Sequence, residues 1–415
     1  MALAELQNIF YPGSAETSSG FKCLPPPIPG TVQEQSSENE EKEEEDDGLY
    51  TTVHLPKMFT LFLSGNPPVN PYYAEVRAES ERWLARACNF DHRAARRLAK
   101  TDFSYFCSIS APRAGREELK TVCDWGNWVF PFDDMFDSGA LKDNPTRAQE
   151  VIEDLLAGMG MGLESSKSSP QAECRADDPL IQVHNSVWER IVKASPIGTQ
   201  RRFAQSMHDY CMGSLVQVQN ASTQTYPSIE EMLGIRRRSS GVAPLFALVE
   251  YAHKLNIPDT VFETRSIQEI DRIGVDLVLI QNDILSYCRE EVRLSLSVSS
   301  PLLQPSLPLT SLYQIQREGV SHNLVAIARR NGMSAQAAFT HVGDMLSSRY
   351  RDWYLALAEL PSWGEDVDVQ VQEYVEGVRS VVRANLGWSF RSQRYFGERA
   401  SEVRKSGVVR VQRVL

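Results

Sequence analysis

The chain has 415 residues, 42% of them hydrophobic, enough for one large domain or two or three smaller ones around a sizeable core. Its formal net charge is −11, most of it in ENEEKEEEDD (38–47), so the remainder is nearly balanced and offers no basic footprint for nucleic acid. No run of about eighteen apolar residues marks a membrane span, no basic-then-apolar leader is visible, and the seven scattered cysteines lack CxxC spacing, so the expectation is a reduced cytoplasmic protein.

Residues 1–52 combine PPPIPG (25–30) with the acidic block and show little apolar periodicity, which predicts a disordered, solubilising tail. From Leu55 the texture changes. Apolar residues recur at three- and four-residue spacing over 72–90, 116–137, 202–223, 267–291, 321–332, 334–360 and 371–397, the pattern of amphipathic helices. No stretch alternates convincingly as a strand. SPQ (169–171) and NIP (256–258) mark breaks between helices. The expectation is an all-α fold, one helical domain over 53–400 without internal repeats, followed by a C-terminal tail over 401–415. GMGMG (158–162) follows a helical stretch rather than a strand, so it reads as a helix terminus and not as a dinucleotide fingerprint.

Four short stretches carry chemistry. In FPFDDMFDSG (130–139), Asp133 and Asp137 lie four apart and share a helix face, with Asp134 beside them. Like charges so close repel unless a cation sits between them, and hard carboxylate oxygens suit Mg²⁺. A solvated acidic helix end is the alternative. In NDILSYCRE (282–290), Asn282, Ser286 and Glu290 are spaced i, i+4, i+8 on one face of an otherwise apolar helix, an oxygen-only set suited to a further Mg²⁺. A plain polar face is the alternative there. IRRRSSG (235–241) places three arginines before a small-residue turn and could grip a polyanion. WSFRSQRYF (388–396) offers Arg394 as a cation and Tyr395 as a phenol donor near the end of the last long helix.

Taken together, Asp133-Asp134-x-x-Asp137, Asn282-Asp283-Ile284-x-Ser286-x-x-x-Glu290 and Arg394-Tyr395 resemble the aspartate-rich motif, the NSE triad and the RY pair of class I terpene cyclases. The likeness is closest to fungal sesquiterpene synthases, and among them to the subgroup that makes presilphiperfolanol. NPYYAEVRAESERW (70–83), DWGNWVFPFDD (124–134), WYLALAELPSWGE (353–365) and NLGWSFRSQRYFG (385–397) are similar to family phrases, and the resemblance covers roughly 55–400. It implies a single-domain class I terpenoid synthase bundle with the active site in the bundle cavity. The implied substrate is farnesyl diphosphate, half polyanion and half hydrocarbon. Three Mg²⁺ are implied, two at Asp133, Asp134 and Asp137 and one at Asn282, Ser286 and Glu290.

In that reading Arg236 stands at the position of the family's diphosphate-sensing arginine, and Arg236, Arg289, Arg394 and Tyr395 hold the diphosphate. Relatives often carry Asp or Thr three residues after the sensor; this chain has Ser239, then Ser240, so the step that couples sensing to ionisation falls to two serines. Phe130 and Trp388, by their place in the motifs, are nominated to stabilise a carbocation through their ring faces, with ordinary core packing as the alternative. The implied protein is a lyase that works as a monomer or homodimer, without nucleic-acid or membrane partners.

Other readings are weaker. A chain-elongating prenyl diphosphate synthase would need a second aspartate-rich motif where the NSE pattern stands. A class II cyclase needs DxDD, which DVDV (366–369) is not. A non-catalytic helical homologue would be expected to have lost a metal ligand, and all six are present. One segment is foreign in texture: 292–316, VRLSLSVSSPLLQPSLPLTSLYQIQ, is rich in Ser, Leu and Pro and free of acids. Its removal joins SYCREE to REGVSHNLV, the family-like continuation, and its length keeps the reading frame. It is expected to be an insertion, either a translated retained intron or a surface loop of a length unusual in a compact domain.

Overall fold

A computed structural model describes residues 49–137, 139–161, 178–222, 227–298 and 322–413, with the side chains of Asp137, 221–222 and 292–298 excepted. The chain divides into 1–45 and 46–415, and all described residues belong to the second unit. The predicted tail up to residue 48 and the break at 169–171 therefore lie outside them.

The fold is all-α. The helices are α1 (Tyr73–Ala87), α2 (His92–Thr101), α3 (Phe103–Ser110), α4 (Arg116–Asp137), α5 (Pro145–Gly158), α6 (Pro179–Ala194), α7 (Ile197–Ser222) and α8 (Ile229–Ser239). They continue with α9 (Val242–Ala252), α10 (Asp259–Phe262), α11 (Arg265–Val298), α12 (Leu324–Arg330), α13 (Ala335–Ala358), α14 (Glu365–Arg391) and α15 (Ala400–Ser406). Local chemistry explains many of the starts. The Asp91 and Asn144 side chains accept from the backbone N–H groups of Ala94 and Arg147 at the heads of α2 and α5, and Ser228 and Glu231 form a reciprocal capping box at α8. Gly158 closes α5 and Gly160 follows with a φ of 76°, so GMGMG does terminate a helix. NIP falls between α9 and α10, as its proline requires.

α11 is the central helix, packed against α13, α14, α12 and α8. Its approach to α14 and α9 depends on Gly274, where a Cβ would stand 2.7 Å from Val378 Cγ1 and 3.0 Å from Phe246 Cζ. α7 and α8 come together at Gly213, whose Cβ would lie 2.6 Å from the backbone nitrogen of Ser239. Trp125, Trp128, Trp353 and Trp388 are fully buried among these helices.

Two expectations need correction. Tyr50–His54 (β1) and Val408–Gln412 (β2) form an antiparallel ribbon, with Tyr50 opposite Gln412 and His54 opposite Val408. The sequence hid it because five-residue strands hold too few alternations to register, although Val409 and Val411 point inward on β2. Residues 401–412 are accordingly part of the packed domain rather than a tail, and the domain begins near residue 49 rather than 53. In the foreign segment, 292–298 continue α11 as helix; its remainder lies outside the described residues.

Deletion of 1–48 is expected to leave the melting temperature unchanged. Deletion of 1–54 removes β1 with the fully buried Val53 and should cost about 2–3 kcal/mol, read as a drop of several degrees in calorimetry.

Candidate active site

Two helices run from apolar to polar along one cavity. On α4 the lining residues Trp125, Val129 and Asp133 follow at four-residue intervals, and on α11 Val278, Asn282, Ser286 and Glu290 do the same. The cavity holds about 530 Å³, within the range of small-molecule sites. Phe103, Phe106, Trp125 and Leu245 supply apolar wall; Asp133, Arg236, Asn282, Ser286, Arg289, Glu290, Arg394 and Tyr395 supply polar wall.

Asp133 accepts a hydrogen bond from the Tyr210 hydroxyl at 3.0 Å. Burial raises its carboxyl above the ordinary value, and the neighbouring Asp134 adds to this, against the pull of Tyr210, Arg394 and Arg236. Asp134 is 42% exposed and stands 3.9 Å from Arg394. Asp137 closes α4, and its side chain lies outside the described set.

On α11, Asn282 donates to the Tyr395 hydroxyl at 2.7 Å, and Glu290 accepts from Asn323 Nδ2 at 2.9 Å. The Ser286 hydroxyl is buried with no hydrogen-bond partner, an unmet demand that a metal ion between Asn282 and Glu290 would answer. Asn282, Ser286 and Glu290 thus offer an amide oxygen, a hydroxyl and a carboxylate along one helix face. Such a set fits Mg²⁺.

The three arginines of α8 diverge. Arg236 lines the cavity, donates to Asp283 Oδ1 at 2.9 Å and reaches Asn282 Oδ1 at 3.4 Å. Arg237 turns away and grips Asp276 with two bonds of 2.6 and 2.9 Å. The register of the triplet thus places Arg236, not Arg237, at the cavity. Just beyond, Ser239 ends α8, Ser240 caps it, and Gly241 takes the left-handed φ of 67° that lets α9 start at once. Ser239 and Ser240 both line the cavity, with buried hydroxyls lacking partners. Phe130 and Trp388 also line it while remaining packed: Trp388 donates to Thr101 O at 2.7 Å and meets Phe130 at 5.7 Å between ring centres. The Arg394 guanidinium lies 4.4 Å over the Phe130 ring.

Sequence reasoning missed three residues here. Asp283 is fully buried, and burial first of all pushes its carboxyl up to about 6 despite Arg236. It stood in plain sight as the second letter of Asn-Asp, but one residue off the marked face. Tyr210 gives no signal within an ordinary amphipathic helix, and Asn323 lies across the foreign segment from the glutamate it holds.

Comparison with known proteins agrees with this geometry. Residues 124–352 match the family model described as terpene synthase family 2, C-terminal metal binding. The chain is 36% identical over 360 residues to a silphinene synthase of Penicillium patulum, covering 86% of this chain and 89% of that one. It is 33% identical to a (+)-eremophilene synthase of Gibberella fujikuroi, covering 84% and 89%. Among solved structures, an α-eudesmol synthase superposes with a TM-score of 0.64 at 20% identity, covering 81% of this chain and 99% of that one, a likeness of fold.

The divergence of the arginines is testable by melting. Arg237→Ala should lower stability by about 1–3 kcal/mol, because Asp276 stays buried with Arg272 and Arg349 as its remaining partners. Arg236→Ala leaves the buried Asp283 without its arginine, so it should cost at least as much in melting and, unlike Arg237→Ala, should reduce turnover beyond what the loss of folded protein explains.

Proposed function

The chain belongs to the terpene synthase family as a class I terpene cyclase of the fungal group, and from that premise we propose that it is a cytoplasmic sesquiterpene synthase, a carbon–oxygen lyase that converts farnesyl diphosphate to a polycyclic sesquiterpene or its alcohol and releases diphosphate. The observation that carries the reading is that one cavity has Asp133 and the Asn282–Ser286–Glu290 face at one end of its helices and Trp125, Val129 and Val278 one or more turns earlier. A substrate that is half polyanion and half hydrocarbon fits such a gradient. The names of the relatives support it: silphinene and eremophilene synthases are fungal sesquiterpene synthases.

In this reading Asp133, Asp134 and Asp137 hold two Mg²⁺ and Asn282, Ser286 and Glu290 a third. When bound, the ions supply Lewis-acid stabilisation of the leaving diphosphate. Arg236, Arg289, Arg394 and Tyr395 grip the diphosphate oxygens by charge-assisted hydrogen bonds, with Arg236 as the sensor. To do so Arg236 must loosen its hold on Asn282 and lean on Asp283. Ser239 and Ser240, with unsatisfied hydroxyls at the α8–α9 break, relay that movement to the cavity wall. The aromatic and aliphatic wall excludes water from the carbocation. Phe130 and Trp388 present ring faces worth about 1–2 kcal/mol each to a desolvated cation, and Phe130 already carries one in Arg394. Segment 292–316 is read as an addition to this frame, and a variant lacking it is expected to turn over at least as fast.

The test is incubation with farnesyl diphosphate and MgCl₂, followed by gas chromatography and mass spectrometry of the headspace. Cyclic C15 products are expected. Longer prenyl diphosphates would instead mean chain elongation, and no turnover a non-catalytic homologue. Asp133→Ala and Asn282→Ala should each reduce turnover on the order of 100-fold or more with helix content unchanged by circular dichroism. Normal product formation in either variant would sink the metal assignment.

A further inference from the structure

Asn323 is buried, with 1% of its surface exposed, and spends its whole side chain. Its Oδ1 caps α12, accepting from the backbone N–H groups of Val325 at 2.9 Å and Ala326 at 3.3 Å. Its Nδ2 donates to the Asp283 carbonyl at 2.8 Å and to Glu290 Oε2 at 2.9 Å. The next residue continues the link: Leu324 N–H donates to Asp283 Oδ2 at 2.9 Å, while Asp283 Oδ1 receives Arg236. One turn at the head of α12 therefore holds a metal-ligand candidate and, through Asp283, the arginine across the cavity from it.

Only a carboxamide of this length does all of this. A carboxylate has no donor for Glu290 and would repel it, and a hydroxyl can cap the helix but cannot also bridge two acceptors on α11. Glu290 is otherwise the last cavity-lining residue of a long helix, and a carboxylate on so mobile a stem loses rotamer freedom when a metal binds. With Oε2 gripped, that cost is met on folding, and Oε1 is the oxygen left for a metal.

We infer that Asn323 is a positioning residue, which fixes the Glu290 carboxylate for the third metal ion and ties it to the Asp283–Arg236 pair; the inference rests on the reading of Glu290 as a Mg²⁺ ligand. Asn323→Ser separates its two roles, since serine keeps the cap oxygen and lacks the donor that reaches Glu290. Asn323→Ala loses both.

The measurements are the melting temperature of the full chain titrated with MgCl₂ at fixed inorganic pyrophosphate, which needs no turnover, and the Mg²⁺ concentration for half-maximal turnover of farnesyl diphosphate. Asn323→Ser, which loses two buried hydrogen bonds but keeps the cap, should melt below wild type and above Asn323→Ala without ligands, and need about 10-fold or more Mg²⁺ in both measurements, with excess Mg²⁺ restoring much of kcat. Asn323→Ala should show the same Mg²⁺ shift and a lower starting melting temperature. Should the serine variant fold poorly, Asn323→Thr repeats the comparison with another capping residue. A wild-type Mg²⁺ requirement in the serine or threonine variant reduces Asn323 to a helix cap and overturns the inference. A wild-type protein that neither responds to Mg²⁺ with pyrophosphate nor turns over overturns the functional reading first, and the inference with it.

Discussion

A carboxylate taken out of water must be paired, and two aspartates of α11 place that demand on α8. Asp276 and Asp283 lie two turns apart on the central helix, each with no more than 1% of its surface exposed. The adjacent arginines Arg237 and Arg236 answer them, one each. This crossed pairing fixes both the height and the rotation of α8 against α11. Slide α8 by one residue and each aspartate would face the wrong side of the helix. Because Arg236 is aimed by this clamp, so are the serines that end α8 and the left-handed glycine that turns the chain into α9. The geometry of the cavity mouth is thus a by-product of satisfying buried charge.

The clamp also explains why a polar end can exist in an apolar bundle at all. Asp276 collects Arg237, Arg272 and Arg349, a closed cluster from three helices that faces away from the cavity. Asp283 shares its two oxygens between Arg236 and the backbone of α12. Neither needs water. At the cavity itself the hydroxyls of Ser239, Ser240 and Ser286 are buried without partners.

Much of this was legible in the sequence, for reasons of period. Asn282, Ser286 and Glu290 share a face because α-helical side chains repeat near four, and Asp133 follows Val129 and Trp125 by the same rule. The long helices were readable because each spans several apolar repeats. What stayed hidden obeys no period. Asp283 acts from one residue off the marked face. Asn323 meets Glu290 across a chain separation that includes the foreign segment. Tyr210 reaches Asp133 from a helix that is unremarkable by pattern. The β1–β2 ribbon joins residues near opposite ends of the chain, and pairing at that distance leaves no local trace beyond two valines in alternate positions.

That ribbon has a topological consequence. Tyr50 sits directly opposite Gln412, and the Gln412 N–H donates to Glu291 Oε2 at 2.9 Å, on the residue after the triad glutamate. The two strands are therefore a hairpin that lacks only its turn. A two-residue connection from Gln412 back to Tyr50 would complete it, and the folded domain would become a closed ring. In that sense the order in which the helices are written is incidental: the ring could be opened at another surface connection, and the stitch at Glu291 would hold α11 in place wherever the chain was opened.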